Sequence, residues 1–174
     1  MDELPLVTEA DHLEGARNAA VTLLQYGDFQ CPACIQAFSF VHQVRERYRG
    51  RLAFVFRHFP LLEVHPQALA AAVAAEVASE SGRFWAMHDR LYGLAGELDP
   101  ASLLAAAQAA GLDPLSFSAQ RGELRYAERV AQQRAGGVQA RVRATPTFFV
   151  NGRLVDTSFG YTALHDAVAQ AVGS

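Results

Sequence analysis

The sequence predicts an α/β fold with an inserted all-helical subdomain, and three observations predict it. Two apolar runs, 21–27 and 52–59, flank a stretch with helical spacing, which together read as a βαβ unit with a parallel strand pair and a right-handed crossover. From Leu61 the texture changes to an alanine-rich block with helical spacing throughout. Strand chemistry then returns at Thr147-Phe148-Phe149-Val150, followed by the two-residue turn signal Asn151-Gly152. The 174 residues fit one domain with a sizeable insertion. The division expected is 1–62 with 138–174 as the α/β part and 63–137 as the helical insert, in one continuous unit.

Taken in order, residues 1–20 read as a lead-in, broken at Gly15. Val21 to about Gly27 is the first strand, buried by its apolar content. Asp28-Phe29-Gln30 turns the chain into a helix whose turns are marked by Ile35, Phe38, Val41 or His42, and Arg45, and which ends near Gly50. Leu52 to Phe59 is the second strand, stopped by Pro60. In the helical block the segments are 65–81, opening at His65-Pro66 and broken by Gly82; 84–92; one from Asp99-Pro100 to Gly111; a short one from Asp113-Pro114; and one from Glu123 to about Ala135, closed by Gly136-Gly137. Phe84, Trp85 and Met87 read as core. Arg153-Leu154-Val155 is the antiparallel mate of the third strand, and 161–172 is a closing helix with Leu164, Val168 and Val172 on one face.

Both cysteines of the chain lie in Cys31-Pro32-Ala33-Cys34, where a strand ends and a helix begins. A helix N-terminus presents unpaired N–H groups and about half a positive charge, which favours a thiolate over a thiol. Proline suits the first helical turn, and the i, i+3 spacing puts both sulfurs on one face. A structural staple would close a loop too short to remove much unfolded-state entropy. A zinc site needs more ligands than one such pair supplies, and the six histidines show no pair at tight ligand spacing, so no metal is expected. Redox exchange is the reading that uses the junction.

Composition narrows the rest. A formal charge of −3 shows no nucleic-acid footprint, and all fifteen basic residues are arginine, which excludes a lysine nucleophile or Schiff base. No apolar run reaches the ~18 residues of a membrane span. The start is acidic and lacks the apolar region of a secretory signal. The compartment stays open: cytoplasmic as written, periplasmic if the chain is a processed form. Arg57, Arg141 and Arg143 read as ordinary solvated charges, and His58, His65 and His88 as groups that satisfy hydrogen bonds at loop or helix ends.

The runs Val21–Cys34, Phe54–Pro60, Phe84–Asp89 and Ala144–Gly152, in this order and spacing, resemble the DsbA family of thiol–disulfide oxidoreductases, in particular the bacterial branch found alone or fused behind sodium/proton antiporters. The resemblance implies a thioredoxin-like fold with a helical insertion. It implies that Cys31 is the exposed nucleophile and Cys34 the buried resolving thiol, and that Thr145-Pro146 is a cis-proline loop which, with Pro32 and Ala33, meets an extended client chain. Periodicity alone gives no reason to assign that bond as cis. The expected partners are protein or peptide substrates bearing thiols or disulfides and an unidentified redox partner, with no cofactor, and the chain is expected to act as a monomer. Oxidase is the favoured direction; reductase, isomerase or a non-catalytic peptide-binding or redox-sensing module are the alternatives. Two departures stand out. Gln25 occupies the position of the family's buried Glu, and an amide cannot take a proton at neutral pH. Ala33 replaces a His, so one source of thiolate stabilisation is absent, and Cys31 is expected below the free value of about 8.5 with a middling potential. Asp28 reads as a cap for the turn.

Overall fold

The computed structural model describes residues 5–174. Its elements run β1 (His12–Glu14), β2 (Val21–Gly27), α1 (Pro32–Arg47), β3 (Leu52–His58), α2 (Ala68–Ser79), α3 (Phe84–Gly93), α4 (Pro100–Ala109), α5 (Pro114–Gln120), α6 (Leu124–Gln139), β4 (Thr147–Val150), β5 (Arg153–Val155) and α7 (Thr162–Val172). One sheet has the order β1-β3-β2-β4-β5; β2 and β3 are parallel and the other pairs antiparallel. The fold class is the one expected: an α/β, thioredoxin-like sheet with helices α2–α6 placed between β3 and β4.

β2 and β3 are buried on both faces, as central strands must be when each face carries packing partners. On one face Val21, Leu23, Phe54, Phe56, Phe148 and Val150 join the large core shared with α1, α7 and the helical block. On the other, Leu24, Tyr26, Val55 and Phe149 form a second core with Phe59 and Val142. Asp99 and Asp113 start α4 and α5 by accepting N–H bonds from Ser102 and Ser116 at 3.1 and 2.8 Å. Ala71, Ala72, Ala74, Ala75 and Ala78 are all buried on α2, so small side chains let α3 and α6 approach it closely.

Four details differ from the sequence expectation. The lead-in contains β1, too short for any periodicity to register, which pairs His12 with Phe56. α2 begins at Ala68, after His65 and Pro66. α6 runs through Gly136 and Gly137 to Gln139. Gly137 is a packing residue: a Cβ there would stand 2.6 Å from the Phe59 ring and 3.0 Å from Tyr26. Arg57 is paired, not solvated: its guanidinium donates to both oxygens of Asp11 at 2.7 and 2.8 Å and to the Tyr26 hydroxyl at 2.9 Å. The Asn151-Gly152 turn has φ of 47° and 77°, the left-handed pair that joins Val150 to Arg153 across a tight hairpin.

Candidate active site

The site grows from the C-terminal end of β2. The chain leaves the sheet at Gly27, turns over Asp28-Phe29-Gln30, and enters α1 with Cys31 as its N-cap residue and Pro32 in the first turn. The Cys31 side chain caps nothing. Asp28, buried, does that work from the turn. One carboxylate oxygen accepts the N–H groups of Gln30 at 2.7 Å and Cys31 at 3.1 Å. The other accepts Leu61 N–H at 2.9 Å and meets His65 Nδ1 at 2.7 Å. Helix start, strand end and the loop after β3 are tied to one carboxylate.

Cys31 and Cys34 are free thiols with different surroundings. Cys34 is fully buried, and Cys31 is only 6% exposed, less than expected of a surface nucleophile, because it lies against the loop before β4. As a thiol, Cys31 donates to the Thr145 carbonyl at 3.4 Å. The Cys34 thiol, donating to the Cys31 sulfur, does most to lower the Cys31 pKa, to about 5; burial opposes this, and the Thr145 side chain and the N–H groups of Cys34 and Ala33 add to it. Burial, then the demand of Cys31 for its proton, push Cys34 well above the ordinary thiol value.

β4 pairs with β2 through Thr147 and Tyr26, so the residues just before β4 fall beside the cysteine turn. The Thr145–Pro146 bond is cis. Thr145 is buried, while Pro146 and Ala33 are half-buried and Pro32 is exposed. Residues 31–34 and 145–146 thus come together across 114 positions of sequence. Gln25 is buried one strand position from Tyr26, between Phe56 and Phe148.

Three further residues stand beside the site. Tyr161 donates to the Ala33 carbonyl at 2.9 Å. His65 stands on Asp28. Tyr92 of α3 stacks on Phe38, one helical turn beyond Cys34, with its hydroxyl buried. Only the fold brings them in; no local spacing marks them.

Among the described residues, His12, His58 and Glu76 bring potential metal-ligand atoms within 4.8 Å of one another, a set that sequence spacing could not show. Its facing atoms pair with one another, while Nδ1 of His58 is buried without a partner. Oε1 of Glu76 accepts from Nε2 of His12 at 2.6 Å and of His58 at 2.8 Å, and Arg129 donates to Oε2 at 3.1 Å. Burial lowers the His58 pKa, and despite burial the two histidines hold Glu76 far below the usual carboxylate range.

The family model described as "Thioredoxin" matches residues 7–170. The chain is 43% identical over 168 residues to Na(+)/H(+) antiporter NhaA 1 of Salinispora arenicola, a match covering 97% of this chain but 26% of that protein. It therefore spans about a quarter of the length of such curated relatives. Its fold is similar to that of a thioredoxin-like oxidoreductase from Silicibacter pomeroyi, with TM-score 0.82, 25% identity and coverage of 96% and 95% of the two chains. It is also similar to alpha-DsbA1 of Wolbachia pipientis, with TM-score 0.85, 18% identity and coverage of 99% and 96%. The chain belongs to the thioredoxin family and carries the DsbA-like form of its fold, with a helical block set between β3 and β4.

Proposed function

We propose that the protein is a thiol–disulfide oxidoreductase in which Cys31 and Cys34 exchange a disulfide with protein or peptide clients. The observation that carries this is the asymmetric placing of the pair: Cys31 stands at the N-cap of α1 against the Thr145 carbonyl and Cys34 is fully buried behind it, which lowers the Cys31 pKa to about 5 and pushes Cys34 up. At neutral pH the first is a thiolate and the second a proton-bearing thiol, which are the nucleophile and the resolving group of an exchange reaction.

In the oxidising direction a client thiolate attacks the Cys31 sulfur of the Cys31–Cys34 disulfide. That bond breaks and Cys34 takes the electron pair and then a proton. A second client thiolate attacks the client sulfur of the mixed disulfide, and Cys31 leaves as a thiolate. A stabilised leaving group makes the disulfide a better oxidant, because the dithiol form gains free energy. This supports oxidase as the direction. The cis Thr145–Pro146 loop, with Pro32 and Ala33, is the surface on which an extended client would lie, pairing with backbone as an added strand. No transport step is assigned to this chain; among the described residues no helix is long and apolar enough to cross a membrane.

Reduction of insulin by dithiothreitol tests the chemistry. The protein is expected to hasten precipitation of the insulin chains, and Cys31→Ser to remove the effect. Equal precipitation with and without the protein would refute exchange and leave a peptide-binding module.

A further inference from the structure

Tyr92 sits on α3, in the helical block, outside both the cysteine turn and the proline loop. Its ring is packed against Phe29, Phe38 and His88, with ring centroids 4.8, 5.3 and 5.1 Å away. The residue is 3% exposed, and its hydroxyl is buried without a hydrogen-bond partner. A hydroxyl in that condition is a net cost to the fold, and a Phe would fill the same space without it. The oxygen points at the end of β2: a Cβ at Gly27 would stand 2.8 Å from it, so the missing side chain there leaves the hydroxyl its room. The Tyr92 ring stacks on Phe38, one helical turn beyond Cys34 on α1, and after burial, of the neighbours whose charge would raise its pKa, Cys34 acts most strongly, followed by Asp28 and Cys31.

Exchange includes one state that needs a donor at this place. Whether a client joining Cys31 expels Cys34, as in the oxidising direction, or Cys34 attacks Cys31 to release that client, the buried Cys34 sulfur passes through a state of negative charge. We propose that the Tyr92 hydroxyl is the hydrogen-bond donor reserved for the Cys34 sulfur in that step. The proposal rests on the exchange reading above and adds to it a residue from the helical block. The step balances without a further reactant. Cys34 gives up its proton and attacks Cys31 Sγ; the Cys31–Cys34 bond forms as the bond to the client sulfur breaks. The client sulfur leaves with the electron pair, and a proton equal to the one Cys34 lost returns to it. Tyr92 neither gains nor loses a proton. Burial and its negative neighbours raise its own pKa, so it stays a donor throughout. It lowers the cost of charge on Cys34 where Gln25 cannot accept a proton.

The test isolates Cys34 in a Cys31→Ala background and titrates its thiolate with and without Tyr92→Phe. The account expects Tyr92→Phe to raise the Cys34 pKa by about one unit, and to slow resolution of a preformed Cys31 mixed disulfide about tenfold, with the Cys31 titration unchanged. Placing a fluorinated tyrosine at position 92, whose more acidic hydroxyl donates more strongly, should lower the Cys34 pKa. A purely structural Tyr92 predicts a Tyr92→Phe protein that melts higher, with the same Cys34 titration and resolution rate; that result overturns the proposal. Should Tyr92→Phe not fold, an unchanged Cys34 titration in the fluorinated protein overturns it instead. The titration requires no turnover, so a protein inactive on insulin would sink the exchange reading while leaving this measurement interpretable.

Discussion

The Cys31 sulfur is acidic chiefly because Cys34 donates to it, and the backbone N–H groups of the first helical turn add to that effect. The account therefore expects Cys34→Ala, which removes the donor, to raise the Cys31 pKa from about 5 by at least about one unit. Cys34→Ser, which keeps a hydroxyl donor, should raise it less; no shift in either variant in ultraviolet thiolate titrations would show that the helix end alone sets the acidity. Asp28 is a second residue of large consequence, since its carboxylate accepts three backbone N–H groups. Asp28→Ala strands those donors, and urea unfolding should show a loss of about 3 kcal/mol or more. The cysteine pair was legible because its chemistry is written within four consecutive positions. Tyr92, Tyr161 and His65 were not, because each reaches the site from a separate element and carries no spacing that marks it.

At the scale of elements, strands and helices with a full period were readable, and the failures share a cause. β1 has three residues and no period to detect. Gly136-Gly137 look like a helix end, yet α6 passes through both because tertiary contact overrides the local signal. The two glycines should behave differently when substituted. Gly136 faces open space, so Gly136→Ala should stabilise by about 0.5–1 kcal/mol through helix propensity. Gly137→Ala drives a methyl into Phe59, an overpacking cost of about 1–3 kcal/mol that outweighs the same gain. Denaturant midpoints of the two variants check this; a Gly137→Ala protein as stable as Gly136→Ala would mean that α6 and Phe59 separate easily. Arg57 misled for a related reason: its partner Asp11 lies 46 residues away, and a lone arginine in a strand says nothing of that.

Across the whole molecule, buried titratable groups set the response to acid. His58 and His88 are held below their ordinary value of 6.5 by burial, so as pH falls below 6.5 the unfolded chain takes up protons that the folded chain refuses. Glu76, Asp11 and Asp89 are held below the ordinary carboxylate values by their partners, so below about 4.5 they add a second loss. Oxidised protein should accordingly lose stability on acidification from pH 7, gently at first and steeply below about 4.5, and a stability that rises between pH 7 and 5 would contradict this network. The parallel pair and its crossover helix are visible in the hydrophobic pattern; the His12–His58–Glu76 arrangement, joined across 64 positions, exists only once the chain is folded. The claim on which the functional reading turns is that the fold keeps one sulfur ionised at neutral pH. Titrating the fully reduced protein by its ultraviolet thiolate absorbance tests it most directly. The account predicts a first midpoint near 5 that disappears in Cys31→Ser; a first midpoint at the free-cysteine value of about 8.5, or one that survives that substitution, would contradict it.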